Sequence, residues 1–189
     1  MEKLKISQLA TEVATLLGEA ISLQSLPAES PFPNIEDRVR ILAPGILLNL
    51  LTAEDIHFNC SGKQIPGELT INNDGVGILQ LPEDFLKIVA IRSSDWKQTV
   101  TKTFEASDII AEMQESRWTG IRGTPERPVI IHDIDSKGKS FLRLYSCTQN
   151  AQLATALYLP IPEISSDDFL EFPKALHHSL LQKLVESYS

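Results

Sequence analysis

Hydrophobic side chains near the start of the chain repeat every three or four residues, the spacing of an amphipathic helix. Ser7 is the expected N-cap of this first helix. Its apolar stripe consists of Ile6, Leu9, Val13, Leu16, Leu17 and Ala20. Gly18 weakens the end of the helix, and the prolines between Pro27 and Pro33 predict a connector.

A second helix is predicted from Asn34, the expected N-cap, with Glu36 and Asp37 in the first turn, where the helix dipole favours acidic residues. The expected buried face consists of Val39, Leu42, Ile46, Leu50 and Ala53. Pro44 cannot donate to the helix ladder, so the pattern predicts a kinked helix or two short ones. The helical spacing of the apolar residues continues without a shift across Pro44, which favours one kinked helix over two short ones.

From about His57 the period changes to two, which indicates strands. A hairpin is predicted over residues 68–71 and 76–79, because turn-forming residues lie between them. A single helical turn is predicted at Pro82–Phe85, with Pro82 supplying its fixed φ. A second strand pair is predicted over residues 87–92 and 96–101.

Ser107 is the expected cap of a short helix over residues 108–116, which an irregular loop with Gly120, Gly123, Pro125 and Pro128 follows. Residues 129–134 and 140–145 then predict a third hairpin, and residues 153–159 a last strand that Pro160 and Pro162 terminate. Asp167 and Asp168 precede a predicted final helix with Pro173 near its first turn. Its apolar stripe consists of Leu176, Leu180, Leu184 and Tyr188, widened by Leu181 and Val185.

This order predicts an α+β fold with helical segments at both ends and an inserted antiparallel β block of hairpins that contains one short helix. We expect one domain over residues 1–189, with helical parts at 1–56 and 163–189 and a β-rich part at 57–162. A chain of 189 residues with 42% hydrophobic residues is able to bury a core of its own.

Charge and cysteine content narrow the class of protein. The formal net charge is −8, which does not favour binding to nucleic-acid phosphates. Cys60 and Cys147 do not make a disulfide framework and are expected to be free thiols in a reducing cytosol. The N-terminus resembles no signal peptide, and no apolar run approaches the roughly 20 residues that span a bilayer. We therefore expect no membrane association.

Two near-motifs fail on specific positions. Gly138-Lys139-Ser140 resembles the end of a phosphate-binding loop, but Asp133 stands where the first glycine is required. Asp133 also starts a stretch that resembles a calcium loop, in which Lys137 and Leu144 occupy positions that require oxygen ligands. A solvated hairpin turn explains both.

Other candidate chemistry is sparse. His177 and His178 are neighbours on a helix and point about 100° apart, so they do not grip one metal ion. His57 and His132 are isolated, and neither cysteine has a histidine nearby in the sequence. We therefore expect no enzyme, no cofactor and no metal site, although a pocket that gathers His132, Asp133 and a cysteine would indicate an enzyme.

The candidate interface residues are Trp96, Trp118, Arg122 and Arg127. Trp96 alternates with Gln98 and Val100, so it fits either a core or an interface. Trp118 leads into the Gly120 loop, which favours an interface, since tryptophan is enriched at binding hot spots. Arg117, Arg122 and Arg127 cluster around the same loop, and we expect them either to bind an acidic partner surface or to be solvated.

The order of these elements resembles that of the head–tail adaptor (connector) proteins of tailed bacteriophages and prophages, including the tail tubular type. The resemblance covers most of the chain and rests on order. After the N-terminal helices, the corresponding segments are Leu81–Leu86 (LPEDFL), the strand pair with Trp96, the helix and loop with Gly123–Glu126, the hairpin to Tyr145, Tyr158–Pro160, and a last helix near Pro173. The break at Pro44-Gly45 and the early end of the last helix depart from the family pattern.

The resemblance implies a structural virion protein. Such subunits form rings that join the portal to the tail, with DNA only as passing cargo, so the implied partners are portal and tail proteins and further copies of the chain. The implied location is the virion, and the bacterial cytoplasm during assembly. Two alternatives stay open: a ligand- or carbohydrate-binding or adhesion module, and an enzyme with a site assembled in space.

Overall fold

The computed structural model describes residues 1–17, 34–53, 62–116 and 118–188, which form the predicted mixed α+β fold. This described part contains the helices α1 (Ile6–Leu16), α2 (Ile35–Thr52), α3 (Ile109–Glu115) and α4 (His177–Glu186). Its strands are β1 (Glu2–Lys5), β2 (Lys63–Gln64), β3 (Thr70–Ile71), β4 (Val76–Gln80), β5 (Phe85–Ser93), β6 (Phe104–Glu105), β7 (Ile130–Ile134), β8 (Ser140–Tyr145), β9 (Leu153–Pro160) and β10 (Phe169–Phe172). None of these helices is long and apolar enough to cross a membrane.

The chain divides into two compact units. The first, here called the helical unit, comprises residues 1–60 and 161–189; the second, the β unit, comprises residues 61–160. The predicted connector at residues 27–33 and the predicted start of the β part at His57 lie outside the described residues.

In the helical unit, α1 begins earlier than predicted. Its N-cap is Lys5, not Ser7, because β1 runs to Lys5 and the chain turns directly from strand into helix. The side-chain oxygen of Gln8 accepts a hydrogen bond from the backbone N–H of Lys5 at 3.3 Å. The buried residues of α1 are Ile6, Leu9, Ala10, Val13 and Ala14, whereas Leu16, expected in the stripe, is exposed.

α2 is one helix that continues through Pro44, with Asn34 as its N-cap, as predicted. Its buried face differs from the prediction: Val39, Ala43, Leu47 and Leu51 are buried, whereas the predicted Leu42, Ile46 and Leu50 are half-buried and Ala53 is exposed. α2 packs against both α1 and α4, so its contact face is wide and centres on the row of residues four apart.

The helical unit also contains a two-stranded sheet that the sequence did not reveal. β1 pairs with β10 in antiparallel register, from Glu2 opposite Phe172 to Lys5 opposite Phe169. Asp167 and Asp168 therefore precede a strand rather than the final helix, and β9 is not the last strand. The helix that follows has the predicted face, with Leu176, Leu180 and Leu184 buried.

The β unit consists of two sheets. The strand order is β2-β9-β5 in the smaller sheet and β3-β4-β8-β7-β6 in the larger one. The predicted hairpins β3–β4 and β7–β8 are present, and β6 pairs with β7 in parallel, the one parallel pair among the described strands. The predicted pairing of residues 87–92 with 96–101 is wrong: β5 pairs with β9, and a single bridge between Ile91 and Val100 remains. An alternating pattern defines the two faces of a strand but not its partner.

The segment Pro82–Phe85 forms a turn rather than the predicted helical turn, closed by the N–H of Phe85 donating to the C=O of Pro82. The carboxylate of Asp84 accepts a hydrogen bond from the Tyr158 hydroxyl at 2.8 Å and lies 3.7 Å from the Lys63 ammonium. These contacts tie the turn to β9 and β2.

The two faces of the five-stranded sheet bury different clusters. One face packs Leu79, Ile130, Leu142 and Leu144 together with Ile88, Ile91, Trp96 and Tyr158 from the smaller sheet and its loops. The other face packs Val76, Ile131 and Tyr145 with Ala111 of α3. The larger sheet therefore lies between the smaller sheet and α3, and α3 forms an outer layer of the β unit.

Candidate functional site

The connection from β6 into α3 is tight and sets the orientation of the helix. α3 begins after Asp108, not after the predicted cap Ser107. The Asp108 carboxylate accepts a hydrogen bond from the backbone N–H of Glu105 at 2.8 Å, while its C=O accepts one from Ala111. This double contact holds Ala111 towards the sheet, where it is buried.

The outward side of α3 and the turn after it carry exposed apolar side chains. Ile109 and Met113 are four residues apart, hence on the same side of the helix, and both are exposed. Trp118, whose side chain is 78% exposed, and Ile121 lie at the two ends of the short 3-10 turn that follows. We call these four side chains, Ile109, Met113, Trp118 and Ile121, the α3 patch. Exposed apolar side chains gathered along one segment are typical of an interaction surface.

A chain of hydrogen bonds fixes the loop that borders the α3 patch. Gln114, which is buried, donates from Nε2 to the C=O of Ile110 at 3.0 Å, and its Oε1 accepts from the backbone N–H of Gly123 at 2.6 Å. The C=O of Gly123 accepts from the Ser146 hydroxyl. The C=O of Ser146 in turn accepts from Trp96 Nε1 at 3.2 Å. Both backbone polar groups of Gly123 are thus held, one by α3 and one by the end of β8.

Trp96 is part of the chain of hydrogen bonds that fixes the loop, and it is not part of the exposed surface. Only 1% of its surface is exposed, and it packs in the core between the sheets. The sequence left open whether Trp96 belongs to the core or to an interface. The structure places it in the core, so Trp96 is no longer a candidate interface residue. Its indole is buried because its N–H finds the C=O of Ser146 there.

Two arginines border the α3 patch. Arg122 follows Ile121 directly and is half-buried, whereas Arg127 is exposed. Neither has an ion pair within the described residues. Other cations nearby are paired: Lys97 lies 2.8 Å from Glu126 and lowers the pKa of that carboxyl, and Arg143 lies 3.0 Å from Asp133. We call Arg122 and Arg127 the basic rim.

A cavity of about 330 Å³ lies beside the basic rim. It is lined by Asp74, Gly75, Val76, Arg122, Gly123, Thr124, Pro125, Tyr145, Ser146 and Cys147. Ser146 has a φ of 71°, a left-handed conformation that is uncommon for a residue other than glycine. Because its hydroxyl and its C=O are both engaged, the neighbouring hydrogen bonds hold this strained residue in place.

Two titratable side chains of the cavity wall, Cys147 and Tyr145, are neutral near pH 7 because burial raises the pKa of each. Burial, followed by the charge of Asp95, raises the pKa of the Cys147 thiol from 9.0 to about 11. Burial also raises the pKa of Tyr145 above its ordinary value of 10.0. A nucleophilic cysteine requires a lowered pKa, so the environment of Cys147 is that of a core thiol.

The remaining residues of the near-motifs have structural contacts. His132 Nδ1 lies 3.2 Å from a Glu105 carboxylate oxygen, and Asp133 pairs with Arg143, so neither lines the cavity with Cys147. Asp135 Oδ1 accepts backbone N–H groups of both Lys137 and Lys139 at 2.8 Å, which makes this segment a hairpin turn. Gly138 has a φ of 79° there, a conformation that favours glycine.

The sequence located part of this surface. Trp118, Arg122 and Arg127 lie together around the 3-10 turn and its loop, while Arg117 lies outside the described residues. Ile109, Met113 and Ile121 were missed, as was Gln114, which holds the loop. The four-residue spacing of Ile109 and Met113 was visible, but only the position of the sheet shows that this side of α3 faces away from it.

Within the described ranges, no group of three or more His, Cys, Asp or Glu side chains is placed to hold a metal ion. In comparisons with known proteins, no family model matches the chain, and no curated protein sequence matches it.

Proposed function

We propose that this protein is a structural virion subunit, a head–tail adaptor that joins the portal of a tailed bacteriophage or prophage to its tail. The observation that carries the proposal is the α3 patch with its basic rim. An exposed tryptophan among aliphatic side chains, bordered by two arginines that form no ion pair with any residue the structure describes, is the composition of a protein-binding hot spot. The hydrogen bonds through Gln114, Gly123 and Ser146 keep this surface pre-formed, which lowers the entropic cost of docking.

The architecture supports the same function. A β unit inserted between helical segments, with one short helix against its larger sheet, is the arrangement that the resemblance to adaptor proteins implies. The segments that carry the resemblance include the Pro82 turn and the end of β9 at Tyr158–Pro160, which the Asp84–Tyr158 hydrogen bond joins. In this proposal the β unit provides the contact surface, and several copies form a ring.

The charge of the chain supports DNA as passing cargo. The net charge of −8 gives the protein a field that repels a phosphate backbone. A channel lined by such a surface does not retain DNA that moves through it. The proposal places the protein in the virion, and in the bacterial cytoplasm during assembly.

Co-sedimentation with purified portal rings from the same phage or prophage genome tests the proposal. We expect the chain to sediment with the portal and to appear as an added ring in electron micrographs. The variant Trp118→Glu is expected to lose this association or the ring, whereas Ile134→Glu, at an exposed position outside the α3 patch, is expected to keep both. A wild-type chain that stays in the supernatant would contradict the proposal.

The cavity beside the basic rim favours a second candidate, a module that binds a small ligand. Arg122, Thr124 and Asp74 offer polar side chains next to apolar ones, as ligand pockets do. A carbohydrate and small-molecule binding screen separates the two candidates. Saturable binding that Arg122→Ala abolishes, with no association with the portal, would favour the ligand-binding module.

A further inference from the structure

The excess negative charge of the protein is concentrated in one of its two units. The helical unit has 13 acidic and 6 basic side chains, a net charge of −7, whereas the β unit has 12 acidic and 11 basic side chains, a net charge of −1. The basic rim therefore belongs to a nearly neutral unit, and the acidic surface to the other. Because both units carry a net negative charge, any attraction between two copies is local, between the arginines of the basic rim and an acidic surface of the other copy.

The helical unit has an exposed surface with the chemistry that complements the α3 patch. Asp37 and Ile41 are four residues apart on α2, so they share a side of the helix, and both are exposed, Ile41 by 73%. Among the described residues, Asp37 has no ion pair. Gly45, one further turn along, is also exposed and leaves room for a large side chain, since no atom of the described ranges outside its own stretch of helix lies within 4 Å of the position of its missing Cβ. We call Asp37, Ile41 and Gly45 the α2 face.

Further carboxylates extend the acidic character of the α2 face. Arg40 lies 3.3 Å from Glu36 and 2.6 Å from Asp168, so one guanidinium bridges two carboxylates near the start of α2. Asp167, next in sequence to Asp168, is exposed. This region therefore keeps a negative balance even after its internal ion pairs are counted.

We infer that the α3 patch and basic rim of one copy dock on the α2 face of a second copy. This inference rests on the proposed function and names the partner of the same surface. Trp118 supplies a large apolar side chain for the space around Ile41 and Gly45, and Arg127 supplies the opposite charge for Asp37. Each surface has an exposed apolar centre and a charge without an ion pair in the described part of the chain, and the two charges have opposite signs.

The chemistry favours this head-to-tail contact over a symmetric one. If two copies met through their α3 patches, the arginines of both basic rims would lie at one interface, and Asp37 and Ile41 of both copies would stay uncovered. A contact between two different surfaces leaves one α3 patch and one α2 face open at the ends of every dimer. Further copies then add in the same way, which gives a ring when the rotation between neighbours closes and an open filament when it does not.

Complementary blocked variants test this pairing. A patch-blocked variant carries Trp118→Glu and Arg127→Glu, and a face-blocked variant carries Asp37→Lys and Ile41→Lys. We expect the wild-type chain to self-associate in sedimentation velocity and native mass spectrometry, and each blocked variant alone to be monomeric. Mixing the two blocked variants leaves one intact α3 patch and one intact α2 face, so we expect a one-to-one heterodimer that does not grow.

Controls use exposed apolar side chains outside both surfaces. Ile134→Glu in the β unit and Leu16→Glu in the helical unit are expected to leave self-association unchanged. Circular dichroism and thermal unfolding check that the blocked variants are folded. A wild-type chain that stays monomeric at all concentrations, blocked variants that still associate alone, or a mixture without heterodimer would overturn the inference.

Portal co-sedimentation distinguishes this failure from failure of the proposed function. Portal binding without the heterodimer leaves the adaptor proposal standing and overturns the pairing of the α3 patch with the α2 face. Heterodimer formation without portal binding supports the pairing and contradicts the adaptor function.

Discussion

The side-chain oxygen of Gln114 accepts a hydrogen bond from the backbone N–H of Gly123 at 2.6 Å, although Gln114 lies on α3 and Gly123 lies in the loop beyond the 3-10 turn. Gln114 is one of the few buried polar side chains in the described part of the chain. This contact fixes the position of the loop that carries Arg122 relative to the helix that carries Ile109 and Met113. The α3 patch and the basic rim therefore form one pre-organised surface.

Removal of the Gln114 amide is expected to destabilise the β unit. Gln114→Leu leaves the N–H of Gly123 without an acceptor next to a buried apolar group, which costs about 1–3 kcal/mol of unfolding free energy. Urea unfolding monitored by circular dichroism measures the loss. Gln149→Ala is the control: its exposed side chain donates to the C=O of Asn72, and a change within about 0.5 kcal/mol is expected. Equal losses for both variants would contradict the role assigned to Gln114.

The two tryptophans are expected to respond in opposite ways. Trp96→Ala empties a fully packed core position and is expected to cost about 3–5 kcal/mol of stability. Trp118→Ala removes an exposed side chain and is expected to change stability by no more than about 0.5 kcal/mol. Acrylamide quenching of the single-tryptophan variants provides a second measurement. Fluorescence of Trp118 is expected to be quenched readily and that of Trp96 weakly; the reverse order would contradict the placement of both rings.

Stability is expected to fall at alkaline pH because Cys147 is buried as a thiol. Its folded-state pKa of about 11 exceeds the ordinary 9.0, so the stability it contributes is complete below pH 9 and is lost between about pH 9 and pH 11. Two pKa units correspond to a loss of roughly 2–3 kcal/mol. Urea unfolding across this range, in a Cys60→Ser background, measures it.

In the same background, Cys147→Ala is expected to lower stability at neutral pH but to flatten the decline between pH 9 and pH 11. Tyr145, whose pKa burial also raises, adds to the decline above pH 10, and Tyr145→Phe removes that part. An unchanged slope in Cys147→Ala would mean that the thiol titrates normally in the folded protein.

Asp168 has a left-handed backbone conformation and also forms an ion pair with Arg40. Three substitutions distinguish the contributions of these two features to stability. Its φ is 67°, and its carboxylate oxygens lie 2.6 and 3.1 Å from the guanidinium nitrogens of Arg40. Asp168→Ala loses the pair and adds backbone strain of about 1–3 kcal/mol. Asp168→Gly loses the pair without that strain, and Asp168→Asn tolerates the conformation. We expect thermal unfolding to rank Asp168→Ala lowest; similar melting temperatures for the Ala and Gly variants would contradict the strain.

Local patterns in the sequence were sufficient to predict the elements whose partners are close in the chain. The hairpins β3–β4 and β7–β8 have their turn residues between them, and α2 and α4 have clear apolar stripes. Pairing between distant segments was not visible. β1 and β10 are near opposite ends of the chain, and β5 pairs with β9 rather than with the segment after Trp96, because burial over two long strands outweighs a local turn.

The same limit applies to the candidate site. Trp118 and the arginines stand out by residue type, so the sequence alone is enough to propose them as candidates. The role of Gln114 depends on the close approach of Gly123, and the exposure of Ile109 depends on which side of α3 meets the sheet. Both are consequences of tertiary packing, which no local pattern contains.

The mass of the complex formed with the portal protein tests the central claim most directly. The portal protein of the same phage or prophage genome is purified as a ring, mixed with the wild-type chain, and measured by native mass spectrometry. The adaptor proposal predicts a complex whose mass equals that of the portal ring plus a closed ring of this chain. A spectrum that contains only unbound portal and unbound chain would contradict it.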